Sequence, residues 1–151
     1  MSGREIKFRF YSNIENKMYE NMNLIGLNTT YDKNPCIYSA NKVVVENGAT
    51  RCQYLKDGHL MQFTGLRDNK RTDEYPEGQE VYEGDVVNIR TKSYYFPKYV
   101  IGFNTKYTRY VAETKCNDAP NGLIEIPVDR DWKIEVIGNV FENPELLGGK
   151  I

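Results

Sequence analysis

Lys98-Tyr99-Val100-Ile101-Gly102-Phe103, Asn104-Thr105-Lys106, Tyr107-Thr108-Arg109-Tyr110-Val111-Ala112 reads as strand, turn and strand. Tyr99, Ile101 and Phe103 alternate with smaller or polar residues, and the Asn-Thr-Lys step supplies the turn, so the pattern has the period of two of a pleated strand. Helical spacing is absent here, and no amphipathic stretch of ten or more residues occurs elsewhere in the chain. The same alternation opens the sequence: Ile6, Phe8 and Phe10 point one way, and Glu5, Lys7 and Arg9 the other, which predicts a half-buried strand with a charged outer face. Lys17-Met18-Tyr19 returns after Ser12-Asn13 and Glu15-Asn16 as the second arm of a hairpin.

Outward from these anchors, Lys42-Val43-Val44-Val45 reads as strand, stopped by Glu46-Asn47-Gly48. Residues 20–35 are Asn-rich and read as loop with one short strand. A strand runs from Leu60 to Thr64, with Gly65 at a kink or bulge. Residues 67–78 are charged, contain Pro76 and Gly78, and form the best linker candidate. Val86-Val87-Asn88-Ile89 and Leu123 to Ile126 are further strands. Trp132, Ile134 and Val136 share the inward face of the last one, which Gly138 interrupts with a bulge. Asn143-Pro144-Glu145-Leu146-Leu147 fits one helical turn, with Asn143 as cap and Pro144 at the first position. The expected fold is mainly β with little helix: a hairpin-containing N-terminal lobe over residues 1–74 and a small SH3-like barrel over 75–151.

The composition narrows the function. Twelve tyrosines against one tryptophan favour strands and half-buried or interface surface. A net charge of −1 makes no global case for nucleic acid or membrane. The opening Met1-Ser2-Gly3-Arg4-Glu5-Ile6 lacks the apolar core of a signal peptide, and no apolar run approaches membrane-spanning length, so a cytoplasmic protein is expected, with no membrane partner. Cys36, Cys52 and Cys116 are scattered, without the clustering a metal site needs, and read as reduced thiols; no cofactor is expected. His59 is the only histidine and, beside Gly58, reads as an exposed turn residue. Glu83-Gly84-Asp85 lacks the second glycine and the lysine of a phosphate loop. Asp118, Asp129 and Asp131 could hold a hard cation, but solvated turn carboxylates describe them better. With no nucleophile arrangement, the chain is expected not to be an enzyme.

Three blocks resemble the YopX family of prophage proteins. Arg4-Glu5-Ile6-Lys7-Phe8-Arg9 with Lys17-Met18-Tyr19 is similar to the family's opening hairpin. Leu60 to Leu66 joined to Tyr82-Glu83-Gly84-Asp85-Val86-Val87 is similar to its central signature, and Ile134 to Leu147 to its closing segment. The family's opening usually holds a Trp where Phe10-Tyr11 stands, and the central loop, residues 68–79, is longer than the family's Asn-Gly turn. The resemblance implies a phage-derived origin in a bacterial host and a β-rich fold; it implies no site residues.

The residues themselves supply the functional hint. Between Thr91 and Cys116 five cations (Lys92, Lys98, Lys106, Arg109, Lys115) face one acid, Glu113, a net of +4, interleaved with Tyr94, Tyr95, Phe96, Tyr99, Phe103, Tyr107 and Tyr110. Cations neutralise phosphates and aromatic faces stack on unpaired bases, so single-stranded nucleic acid is one reading, with Lys98, Lys106, Tyr107, Arg109 and Tyr110 as the contact set. Of the two tyrosines, Tyr107 sides with Arg109 and is expected outside. A plain core strand with solvated lysines explains the same residues. From Asn117 to Leu147 seven acids face two cations, a net of −5, and such segregated charge together with Tyr-rich surface suits a non-enzymatic module that binds copies of itself as a homo-oligomer.

Overall fold

The computed structural model describes residues 5–20, 22, 24–30, 37–46, 49–114, 123–125 and 131–148. The chain is mainly β, with antiparallel pairing throughout, and it divides into two compact units, Glu5–Gln62 and Phe63–Ile151. Cys36, Cys116, Asp118, Asp129 and the Asn47-Gly48 turn lie outside the described residues, as does the side chain of Cys52. Among the described residues no helix is long and apolar enough to cross a membrane.

In the first unit β1 (Phe8–Ser12), β2 (Lys17–Tyr19), β3 (Leu24–Thr30), β4 (Ile37–Glu46) and β5 (Ala49–Arg67) stand in the order β2-β1-β5-β4-β3. The expected hairpin is β1–β2, with Phe10 opposite Tyr19. Its turn is fastened by the Glu15 N–H on Ser12 Oγ at 3.1 Å and by the Tyr19 hydroxyl on the Glu15 carboxylate. Phe10, Tyr19 and Met22 form the core here, with Phe8 and Leu60 at its margin.

Two expectations for this unit fail. The alternation of residues 5–10 does not leave a charged outer face: Arg9 and Tyr11 are buried as well as Phe10, while Ile6 is exposed because the strand begins only at Phe8. β1 is an inner strand of its sheet, and its residues Arg9 to Ser12 are buried whichever face they take. The Asn-rich segment also holds a longer strand than its pattern suggests: β3 is seven residues long and paired to β4, so sheet hydrogen bonds rather than side-chain alternation define it.

His59 is not a turn residue. It lies within β5 opposite Tyr11 and is half-buried, and desolvation pulls its pKa below the ordinary 6.5. A lowered folded pKa means that the fold prefers neutral imidazole. This contribution is complete above about pH 6.5 and is lost as pH falls from there toward the lower folded value. His59→Gln should therefore flatten that part of the stability profile, read by denaturant unfolding at about pH 7.5 and 5.5. An equal gap between wild type and variant at both values would assign the acid sensitivity elsewhere.

The second unit holds the far end of β5, then β6 (Glu80–Tyr82), β7 (Asp85–Arg90), β8 (Tyr95–Asn104), β9 (Arg109–Thr114), β10 (Leu123–Glu125), β11 (Lys133–Asn139) and a 3-10 turn, Pro144–Leu147. Five strands form one sheet in the order β10-β9-β8-β7-β11. Val81, Val87, Ile89, Tyr99, Ile101, Ala112, Ile124 and Ile134 make its core, and Trp132 and Val136 pack at the margin. The three inward residues read from the last strand thus face this core, although Trp132 is only half-buried and precedes β11. The bulges expected at Gly65 and Gly138 are both present as register shifts.

Residues 67–78, the linker candidate, include a loop inside this unit that is tied down at both ends. Asp68 donates its N–H to Gln79 O at 2.9 Å, and its carboxylate accepts from Gln79 N at 2.9 Å and Val136 N at 3.1 Å. Asn69 exchanges two hydrogen bonds with Ile134.

Candidate functional site

The blocks that resemble a family signature are spent on strands and on the turns that join them. Glu83-Gly84 links β6 to β7 at φ 84 for Gly84, a left-handed conformation that glycine adopts without strain. Gly84 donates to Ile101 O at 2.8 Å and accepts from Val140 N at 2.9 Å, and the buried Asp85 carboxylate accepts from Tyr82 N at 2.8 Å. Asn139 Oδ1 accepts from Phe141 N and Glu142 N at 3.1 and 2.8 Å. Asn143 does not cap the following turn with its side chain, which instead accepts from Asn139 N at 3.2 Å. The buried polar side chains of these blocks therefore serve the backbone, and their geometry offers nothing to a ligand.

The basic, aromatic stretch is different. β8 and β9 form the expected hairpin, and Asn104 Oδ1 accepts from Tyr107 N at 3.1 Å across the turn of residues 105–108. Lys106 Nζ sits 5.5 Å from the Tyr107 ring centre, Arg109 is exposed at the start of β9, and Tyr107 is 47% exposed. Tyr107 is outside because it lies in the turn, not through strand alternation. Tyr110 is half-buried against the core, edge-on to Phe103 at 5.3 Å. Lys98 is exposed at a bulge, with φ 59 and its N–H on Asn88 Oδ1 at 3.0 Å. That bulge adds a residue to β8 between Phe96 and Tyr99, so both rings turn to the same side and meet edge-on at 5.8 Å. The structure thus gathers Lys106, Tyr107 and Arg109, and sets Lys98 about 20 Å away along the strand.

At the other end of β8, about 30 Å from the turn, lies a second group. The loop of residues 91–94 joins β7 to β8. Thr91 Oγ1 accepts from Ser93 N at 3.2 Å and Tyr94 N at 2.8 Å, and Thr91 N donates to Tyr94 O at 2.8 Å. These bonds hold Tyr94 out at 68% exposure and Tyr95 at 49%. Lys133 on β11, Arg90 on β7 and Tyr95 on β8 are direct cross-strand neighbours, one residue per strand. The Arg90 guanidinium lies 4.6 Å from the Tyr95 ring centre. A surface hollow of about 300 Å³ is lined by this row together with Asn69, Lys70 and Glu135. Beside it a hollow of about 270 Å³ is lined by Lys92, Tyr94, Asp131 and Trp132, the last stacked on Phe96 at 5.7 Å. Lys70 pairs with Glu135 at 3.0 Å and Lys92 with Asp131 at 3.7 Å. Four cations therefore face two acids around the hairpin tip, and the surface keeps an excess of +2.

Such a surface can bind an anion and stack a flat ring. Among the described residues no three His, Cys, Asp or Glu side chains converge, and Asp131 is exposed in its pair with Lys92. Lys92, Tyr94 and Tyr95 were legible as one basic aromatic run; Lys70, Arg90 and Lys133 were not, because only the pairing of β7 with β11 and the closure of the Asp68 loop bring them in.

A family model described as YopX protein matches residues 7–148. Two solved structures are similar. Protein yopX from Bacillus subtilis is 16% identical, with a TM-score of 0.55 over 96% of this chain and 98% of that one. Protein EF1440 from Enterococcus faecalis is 23% identical, with a TM-score of 0.48 over 96% of this chain and 99% of that one. No curated protein matches the chain.

Proposed function

We propose that this chain, which belongs to the YopX family, works by binding and not by catalysis, and that its partner is a short single-stranded nucleic acid lying along the five-stranded sheet. The observation behind the reading is that exposed aromatic rings with cations on them stand at both ends of β8, Tyr95 under Arg90 and Tyr107 beside Lys106. Phosphates need the cations and unpaired bases need the rings, and a span of about 30 Å suits a short single strand. In this reading Lys98, Lys106, Tyr107 and Arg109 are contacts, while Tyr110 supports the hairpin from its half-buried position. The role would be that of a phage-derived accessory protein in the bacterial cytoplasm.

The test is a titration of labelled oligothymidylate at about 0.05 and 0.2 M salt. Affinity should fall steeply with salt, and Lys106→Glu with Arg109→Glu should flatten the log–log slope by about 1.4, since each single-strand phosphate contact contributes about 0.7. Absence of binding at the lower salt overturns the proposal. The second reading is self-association as a homo-oligomer. Phe103, 46% exposed at the same end of β8, favours it. It requires that the mass in solution exceed one chain and that the same charge reversals lower it.

A further inference from the structure

Lys133 and Arg90 present an anomaly that the sheet does not need. They are register partners on adjacent strands, and both point away from the core, since Ile134 and Ile89, the next pair, point into it. Like charges directly opposite each other on one face destabilise a strand pair. Nearby acids relieve neighbouring cations, Lys70 through Glu135 and Lys92 through Asp131, but those bridges are made to other lysines. Resting on the nucleic-acid reading above, we infer that the row Lys133–Arg90–Tyr95 with Tyr94 is the anchor of the bound strand. One phosphate sits between the Arg90 guanidinium and the Lys133 ammonium, and an adjoining base stacks on Tyr94.

Three features fit that use. Arg90 is laid over Tyr95, so its planar fork is restricted before any ligand arrives and loses little freedom on binding. The Thr91 turn fixes the Tyr94 backbone, and the Tyr94 ring stands 6.1 Å from that of Phe96 with most of its surface open to a base. The hollow beneath the row is roomy enough, at about 300 Å³, for a phosphate and part of its sugar. The anchor lies at the end of β8 remote from Lys106 and Arg109, so the two ends can be tested separately.

The experiment compares wild type, Arg90→Gln with Lys133→Gln, and Tyr94→Ala in the same oligothymidylate titration. Removing both charges should lower the salt slope by about 0.7, since the pair shares one phosphate, and weaken binding about eightfold at 0.05 M salt. The double variant should melt no lower than wild type, because a like-charge pair has been relieved. Tyr94→Ala should weaken binding about tenfold with the slope unchanged, since stacking releases no counterions. Trp132, the only tryptophan, shares a hollow with Lys92 and Tyr94, so its emission should change on binding in wild type. If wild type binds but the double variant keeps the wild-type slope, the anchor is wrong and the broader reading stands. If wild type does not bind, both fall.

Discussion

Asp68→Ala is expected to cost the second unit about 3–5 kcal/mol, the largest loss we expect from removing a single polar side chain. The side chain is 2% exposed, and its two oxygens accept from two backbone N–H groups, Gln79 at 2.9 Å and Val136 at 3.1 Å. Each is a hydrogen bond to a carboxylate, worth about 1.5–3 kcal/mol, and truncation leaves both part-buried donors without it. Its position multiplies the effect. One oxygen closes the long loop onto itself, and the other ties that loop to β11, so the same change loosens the wall of the hollow that carries Lys70. Asp68→Asn keeps one acceptor oxygen and should fall between variant and wild type. Denaturant unfolding measures both; an alanine variant within about 1 kcal/mol of wild type would mean that water satisfies the two donors.

Asp68 also shows where sequence reading stops. Within the run Arg67-Asp68-Asn69-Lys70 it is one charge among several, and nothing local separates it from its exposed neighbours. Only the approach of Val136, distant in the chain, makes it a buried anchor. The strands were legible where one face is buried and the other is not: Tyr99 and Ile101 alternate, and so do Ile134 and its neighbours. Legibility failed where a strand's residues are buried whichever face they take, as at Arg9, or where a bulge resets the phase, as between Phe96 and Tyr99. Turns are legible where a residue acts on its immediate neighbours, as at Asn104 and Pro144, or where glycine supplies a left-handed φ, as at Gly84, but not at Gly58-His59, which lie within β5.

The site was half legible for the same reason. Residues 91–116 announce themselves as basic and aromatic, yet contiguity in sequence is not contiguity on a sheet. A strand as long as β8 sends Tyr95 and Tyr107 to opposite ends, and what each then meets is decided by strand pairing. Arg90 joins Tyr95 across β7 and β8, and Lys133 joins Arg90 across β7 and β11. The family resemblance could not supply these residues, since the blocks that carry it hold Gly84, Asp85 and Asn139, which are occupied by backbone hydrogen bonds.

Gly58→Ala is the complementary test for the first unit, and its sign is informative. Gly58 lies in β5 between two partners, Ser12 of β1 and Tyr38 of β4, just after a bulge at which Asp57 takes φ 46. Gly58 itself is not among the residues of positive φ, so alanine can adopt its backbone. By chain entropy alone the substitution should stabilise by about 0.4–1 kcal/mol. Packing says the reverse. A Cβ at this position would overlap both the Phe10 ring and the Tyr11 carbonyl oxygen. The ring belongs to a fully buried core residue, and the carbonyl belongs to the paired strand, so neither moves without disturbing the sheet. Overpacking of this kind costs about 1–3 kcal/mol, and the backbone contact places the expected loss at the upper end of that range or beyond it. Phe10→Leu in the Gly58→Ala background should recover part of the loss, because it vacates the ring position while the carbonyl clash persists. The double-variant cycle should therefore show a favourable coupling between two sites in contact. A stabilised Gly58→Ala protein would show that β1 and β5 can part at this point without loss, and that Phe10 is not held where the first unit's core requires it.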